Sequence, residues 1–154
     1  MTSPLATLHD EQQTIGSLIG LMQQEQQFLV SADSDGLDQI TPQKSALVQQ
    51  AAALAGRRHL ALGSAGFAAS ETGMDDWLQV AGAEARAQWT DLLNRTRAAK
   101  ELNRVNGMLI NKQLSHAQTA LNAMRTPAGS ADAGFYGPSG QTTAGGPSRR
   151  YVVG

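Results

Sequence analysis

The chain contains 154 residues, which is the length of a single domain. Its net charge of −1 gives no basis for binding nucleic acid or an anionic membrane, and the absence of cysteine excludes disulfide bonds and thiol catalysis. Aromatic residues make up only 5% of the sequence, so the predicted core is aliphatic and rich in alanine, which favours a helical bundle over a compact globule. The N-terminus lacks the features of a secretory signal, and no apolar run approaches the roughly 20 residues that span a membrane.

The first helix is predicted to begin at Pro4 and to end near Ser31. Ser3 suits the N-cap position, and proline suits the first helical position because an N–H would be unpaired there anyway. The segment SADSDG, which starts at Ser31, introduces capping and turn residues that end the helix. A stripe recurs at steps of three and four, with glutamine at two positions: Leu5, Leu8, Gln12, Ile15, Ile19, Met22, Gln26 and Leu29.

The second helix is predicted to run from Pro42 to Leu62. We interpret Thr41 as its N-cap and Pro42 as its first residue, preceded by one helical turn over residues 35–40. The alternative is one continuous helix with a kink at the proline. The stripe of this region includes one lysine and one arginine: Leu37, Ile40, Lys44, Leu47, Ala51, Leu54, Arg58 and Ala61.

The third main helix is predicted from Glu84 to Met124 and is the longest element. A glycine-containing loop and a short helix over residues 74–78 lead into it. About forty residues without proline make a helix roughly 60 Å long, which needs partners along its whole stripe. Pro127 ends it. The stripe comprises Trp89, Leu92, Thr96, Ala99, Leu102, Val105, Leu109, Ile110, Leu114, Ala117, Leu121 and Met124.

Three asparagines lie in or beside this stripe: Asn103, Asn106 and Asn111. An asparagine near a helix seam costs stability unless its amide finds a partner, and the pairing can then fix the register of the helices.

These elements predict an all-α fold, namely an elongated antiparallel three-helix bundle or coiled coil with one long C-terminal helix and a disordered tail. The helical bundle domain is predicted to span residues 1–126 and the flexible tail residues 127–154. The tail is dominated by Gly, Ala, Ser, Thr and Pro, and it has too little apolar surface to offset the entropy of ordering it. Because the three helices differ in length, we expect the longest to extend beyond its partners.

Candidate catalytic and metal-binding residues are few. The histidines have no second ligand at helical spacing, so we interpret His9, His59 and His116 as solvated residues on helix surfaces. No serine is placed as a nucleophile with a plausible base. We therefore predict no catalytic residue, no metal and no cofactor.

Two short charged runs are assigned structural roles. We interpret Asp75 and Asp76 as acids in the first turn of a helix, where they complement its dipole. Arg57, Arg58 and His59 are interpreted as a solvated last turn of the second helix, where positive charge is favourable.

Several segments spread over nearly the whole chain match one known family. The most specific are the run Asn103-x-x-Asn106-Gly107-x-Leu109-Ile110 and the downstream Tyr136-Gly137-x-x-Gly140. Generic matches are residues 25–29, residues 35–47 and the arginine pair before Gly63. On these residues the chain resembles the FlgN family of flagellar export chaperones. The tail after Gln141 is not explained by the resemblance.

The resemblance implies a cytoplasmic, non-enzymatic chaperone of the flagellar type III export system. Proteins similar to this one hold the hook–filament junction proteins FlgK and FlgL, and bind a terminal segment of the client with the C-terminal part of the helical region. The export gate protein FlhA is the second implied partner, and Tyr136, flanked by Phe135 and Gly137, would contact it.

The long apolar stripe offers the anchors that a client helix needs. Recognition of a helix in a groove uses apolar residues at positions i, i+3, i+4 and i+7. The alternative is a self-associating coiled-coil structural or assembly protein, in which further copies cover the same stripe. A metal-dependent helical-bundle enzyme lacks its ligands. The predicted client-binding residues are Leu109, Ile110, Leu114, Ala117, Leu121 and Met124.

Overall fold

The computed structural model describes residues 3–125, and four α-helices account for nearly all of them. The described residues contain no β-strand, so the predicted all-α fold is confirmed. None of the described helices is long and apolar enough to cross a membrane. The helices are α1 (Pro4–Ser31), α2 (Ser34–Ser64), α3 (Glu71–Ala81) and α4 (Ala83–Arg125).

Contacts between Cα atoms divide the chain into one unit of residues 1–110 and another of residues 111–154. The first unit contains α1, α2, α3 and α4 as far as Ile110. Of the second unit, the structure describes the remainder of α4, residues 111–125. The predicted tail lies outside the described residues. The proposed domain boundary at residue 126 and the extension of the longest helix beyond its partners stay predictions.

Both predicted ends of α1 are confirmed. The Ser3 hydroxyl oxygen accepts a hydrogen bond from the Leu5 N–H at 3.2 Å, and Pro4 is the first helical residue. At the other end, Ala32 takes a left-handed conformation with φ of 56°, and its N–H donates to the carbonyl of Leu29. This is the capping arrangement that satisfies the free carbonyls of a last helical turn.

The predicted start of the second helix at Pro42 is wrong. The N-cap is Asp33, whose Oδ1 accepts from the Gly36 N–H at 3.0 Å, and α2 continues through Pro42 as in the alternative reading. Thr41 is helical, and its hydroxyl donates to the Leu37 carbonyl at 2.9 Å. The continuous helix prevails because Ile40 is buried, whereas Pro42 is exposed, so the backbone bond lost at the proline lies toward solvent.

The short helix before α4 is confirmed, and it is longer than predicted. α3 begins at Glu71, and the Ser70 hydroxyl caps it by accepting from the Gly73 N–H at 3.3 Å. Gly82, with φ of 98°, separates α3 from α4 in a conformation that glycine adopts without strain.

Buried apolar side chains form two groups in the first unit. The larger group joins all four helices, and the smaller joins α1 to α4. Hydrogen-bonded side chains show that α1 and α2 run antiparallel, because Glu11 pairs with Arg58 and Glu25 with Lys44. The members of the larger group are Leu8, Leu62, Met74, Leu78, Ala85, Trp89 and Leu92, and those of the smaller are Leu18, Met22 and Ala99.

Candidate functional site

The two asparagines of the sequence motif, Asn103 and Asn106, lie where α1, α2 and α4 meet. Asn106 is buried, and its Nδ2 donates to the carbonyl of Met22 at 2.8 Å and to Glu25 Oε1 at 2.7 Å. Its Oδ1 has no hydrogen-bond partner among the described residues. These bonds fix the register of α4 on α1, which is the role expected of an amide at a helix seam. A Cβ at Gly107 would meet no atom within 4 Å, so packing gives no reason for the glycine.

A lysine from α2 completes this polar cluster. Lys44 Nζ lies 3.1 and 3.2 Å from the two carboxylate oxygens of Glu25, and it donates to Asn103 Oδ1 at 2.8 Å. Because Glu25 is nearly buried, it needs these donors to offset the loss of water. The cluster therefore holds α1, α2 and α4 together through charged and amide groups rather than apolar ones.

A second buried charge cluster was not predicted. Arg58 Nε donates to Glu11 Oε1 at 2.9 Å, and its Nη1 donates to Glu71 Oε1 at 3.3 Å. The guanidinium carbon lies 4.6 Å from the centre of the Trp89 ring, which is the geometry of a cation–π contact. His59 Nε2 lies 3.0 Å from the same oxygen of Glu71.

The prediction that Arg57, Arg58 and His59 form a solvated last turn is wrong for Arg58. Its side chain is buried beside Glu11, because Arg58 occupies a core-facing position of the α2 stripe. His59 is partly buried and pairs with Glu71, so it is not a free surface residue either.

The two carboxylates of this cluster have opposite pKa shifts. Burial raises the pKa of Glu11, and the hydrogen bond and charge of Arg58 only partly reverse this. For Glu71, the smaller burial raises the pKa as well, but bonds from His59 and Arg58 bring it below the ordinary value. A cavity of about 480 Å³ lies beside the cluster and is lined by Glu11, Arg58 and Glu71. Both carboxylates are already bonded to Arg58, so we assign the cluster to stability.

A sequence signal for both clusters exists in retrospect. Glu11 and Glu25 are two heptads apart on α1, and Lys44 and Arg58 are two heptads apart on α2. Charged residues of opposite sign therefore recur with the same spacing on two neighbouring antiparallel helices, at stripe positions of α2 and one residue before the two glutamines of the α1 stripe. That pattern indicates buried ion pairs.

One predicted client-binding residue of the first unit lines a groove. Leu109 and Val105 form its α4 side, and Gln26, Gln27 and Val30 form its α1 side, around a volume of about 430 Å³. Ile110 is exposed. The structure thus places Leu109 beside residues of α1 that the stripe of α4 could not reveal.

The remaining predicted client-binding residues lie in the described part of the second unit. Leu114 is 64% exposed, Leu121 49% and Met124 81%, and Ala117 is exposed as well. The four follow one another at steps of three, four and three residues, so they share one side of the helix. In the part of the chain that the structure describes, the large apolar side chains of Leu114, Leu121 and Met124 are therefore exposed to solvent.

The other candidates show no catalytic arrangement in residues 3–125. Asp75 and Asp76 are exposed in the second turn of α3, so the expectation that they lie in a first turn is wrong by one turn, because the helix begins earlier. Among those residues no group of three or more histidine, cysteine or acidic side chains could hold a metal ion. His9 and His116 are exposed.

The predicted gate-docking residues Phe135, Tyr136 and Gly137 lie outside the described residues. They fall inside the range covered by a comparison with known families, in which the family model described as FlgN protein matches residues 1–144. No match was found among curated proteins or among solved structures. The match covers most of the chain and agrees with the all-helical structure, and on this ground the chain belongs to the FlgN family of flagellar export chaperones.

Proposed function

We propose that this protein is a cytoplasmic chaperone that binds the hook-associated proteins FlgK and FlgL and delivers them to the export gate protein FlhA. Membership of the FlgN family supports a chaperone role in flagellar export. The finer assignment to these partners is our inference from the likeness to the FlgN family, and the exposed apolar face of α4 and the motif around Tyr136 support it.

The single observation that carries the client-binding proposal is the exposure of Leu114, Leu121 and Met124 on one side of α4. Burial of a leucine or methionine side chain is worth about 1.5–3 kcal/mol, so an amphipathic client helix would gain free energy by covering them. Methionine and alanine also make an adaptable surface, which suits a chaperone with more than one client. The proposed surface includes Leu109 and Ile110 in the first unit, from their place in the sequence stripe.

Leu114→Asp should weaken binding of a FlgK-type client by roughly thirtyfold or more, the effect of losing an interface hot spot of about 2 kcal/mol. The side chain is 64% exposed, so the carboxylate stays hydrated in the free protein and loses its water only when the client covers it. Calorimetric titration of the purified client measures the affinity, and circular dichroism measures the helix content.

The matched control is Leu60→Asp, because Leu60 is also exposed, at 73%, but lies on α2. Equal losses of client affinity in both variants would contradict the assignment of the α4 face. If the unmodified chain is instead a concentration-independent oligomer and Leu114→Asp makes it monomeric, the face serves self-association. That result would favour the coiled-coil assembly protein.

We also propose that Tyr136, with Phe135 and Gly137 beside it, docks the chaperone on FlhA. The support is the sequence: two neighbouring aromatic residues stand in a segment of glycine, alanine, serine and proline, followed by a Gly-Pro pair that favours a turn. A tyrosine offers apolar area and one hydroxyl at a low cost in side-chain entropy.

Tyr136→Ala should weaken binding to the cytoplasmic domain of FlhA by about tenfold or more while leaving helix content and client affinity unchanged. The control is Tyr151→Ala, since Tyr151 lies beyond the range matched by the family. Titration against the FlhA domain and co-elution with the client report the two activities separately. Loss of the client instead of the gate would show that Tyr136 belongs to the client site.

A further inference from the structure

We propose that the groove between the end of α1 and α4 is part of the client-binding site and takes an uncharged, apolar ridge of the client's terminal helix. This inference rests on the proposed chaperone function. It adds the segment of α1 from Gln26 to Val30 to the client-binding site. This segment could not be inferred from the stripe of α4 alone.

The groove has an apolar wall on each helix. Val30 on α1 faces Val105 and Leu109 on α4 across a volume of about 430 Å³. Val30 is 73% exposed although it lies among these apolar neighbours, so most of its side chain is available for a partner to cover. Leu109 belongs both to this groove and to the proposed client-binding residues, and this continuity is our reason for choosing the client helix as the occupant.

The chemistry of the lining selects an uncharged ligand surface. None of the five lining side chains is ionised, and Gln26 and Gln27 contribute only neutral amides. A charged client residue placed here would lose its water without gaining a counter-charge, which is strongly unfavourable. Aliphatic residues at successive turns of a client helix would bury Val30 and Leu109, and the amides could bond polar groups at the edge of the ridge.

Both walls are held in place before any client arrives. Asn106, next to Val105, donates to the carbonyl of Met22 and to the carboxylate of Glu25, which precedes Gln26. Lys44 fixes the same carboxylate from α2. A groove that is already formed lowers the entropy lost on binding, so the buried cluster acts as a positioning device for the client surface.

The test is the variant Val30→Glu in the full chain, titrated with the purified FlgK-type hook-associated protein of the same organism. We expect affinity to fall by about tenfold or more, because a carboxylate enters an uncharged groove that the client must dehydrate. Val30→Ile, which keeps the surface apolar, should stay within about twofold of the unmodified chain.

The matched control is Val80→Glu. Val80 is also 73% exposed and is the penultimate residue of its helix, as Val30 is of α1, so the carboxylate meets the same unfavourable helix dipole in both variants. Val80→Glu should bind the client within about twofold of the unmodified chain. If Val30→Glu lowers the helix content, Val30→Gln is titrated in its place and should weaken binding by about threefold or more.

Failure of this inference and failure of the proposed function give different results. If the unmodified chain binds the client and Leu114→Asp weakens binding, but Val30→Glu binds as Val80→Glu does, the groove is no part of the site and the chaperone function stands. If the unmodified chain does not bind the client at all, both proposals are overturned. A loss in Val30→Glu alone, with Val80→Glu unaffected, supports the groove.

Discussion

Replacing Arg58 by methionine should lower the free energy of unfolding by about 3–5 kcal/mol at neutral pH, because the change leaves a buried carboxylate without its cation. Glu11 accepts a hydrogen bond from Arg58 Nε at 2.9 Å, and both side chains are almost fully buried. Methionine has a similar length and can still contact Trp89, so the loss reports the charge and not a cavity. Urea denaturation of both proteins measures the difference.

The direction in which the stability of the variant changes with pH follows from the direction of the Glu11 pKa shift. Burial already raises the pKa of Glu11 above 4.5, and removing Arg58 takes away the bond and the charge that lower it. When the pKa of a carboxyl group is higher in the folded state than in the unfolded state, the group contributes most to the free energy of unfolding at a pH below its unfolded-state pKa. That contribution is lost as the pH rises through the folded-state pKa. The deficit of the variant should therefore shrink as pH falls from neutral toward the raised folded pKa of Glu11. Glu71 also faces Arg58 and loses this partner in Arg58→Met, with or without a change at Glu11, so a comparison of those two variants isolates the effect of Glu11.

The double variant Glu11→Gln with Arg58→Met provides the control. It has no buried carboxylate at this position, so it should recover most of the lost stability at neutral pH and lose the added pH dependence. If Arg58→Met alone were as stable as the unmodified chain at neutral pH, the buried pair would make no net contribution and our account of the cluster would be wrong.

Gly73→Ala should also be strongly destabilising, by about 3 kcal/mol or more, which is at the upper end for an overpacked site. A Cβ on Gly73 would lie 2.6 Å from the carbonyl carbon of Ala68 and closer still to the carbonyl oxygen. Both atoms belong to the backbone, so no side chain can rotate away. Relief requires moving the start of α3, and Met74, which is fully buried in the larger apolar group, would move with it.

The control for this prediction is Gly20→Ala. Gly20 lies within α1, and a Cβ there would meet no atom within 4 Å. Alanine is the better helix former by about 0.5–1 kcal/mol, so this variant should be more stable than the unmodified chain. Thermal denaturation of the two variants should give shifts of opposite sign. A neutral Gly73→Ala would mean that the loop at Ala68 yields without disturbing Met74.

Local signals were sufficient for the ends of α1 and α4. Ser3 and Pro4 start α1 as predicted, because capping depends on a side chain and the N–H groups within one turn of it. The long α4 was predicted within one residue at each end, since good helix formers and the absence of proline act along the chain alone. The family resemblance, carried by short motifs, was likewise visible in the sequence and is confirmed.

Residues whose state depends on neighbours from another helix could not be assigned from the sequence. Pro42 was read as a helix start, yet burial of Ile40 two residues earlier keeps the helix continuous through it. Arg58 was read as a solvated charge, yet packing places it between Glu11 and Trp89. The sequence period alone determines which face of a helix a residue occupies. The tertiary structure determines what that face contacts. Leu114 is exposed to solvent, Arg58 contacts a buried carboxylate, and Val30 lines a groove shared with α4.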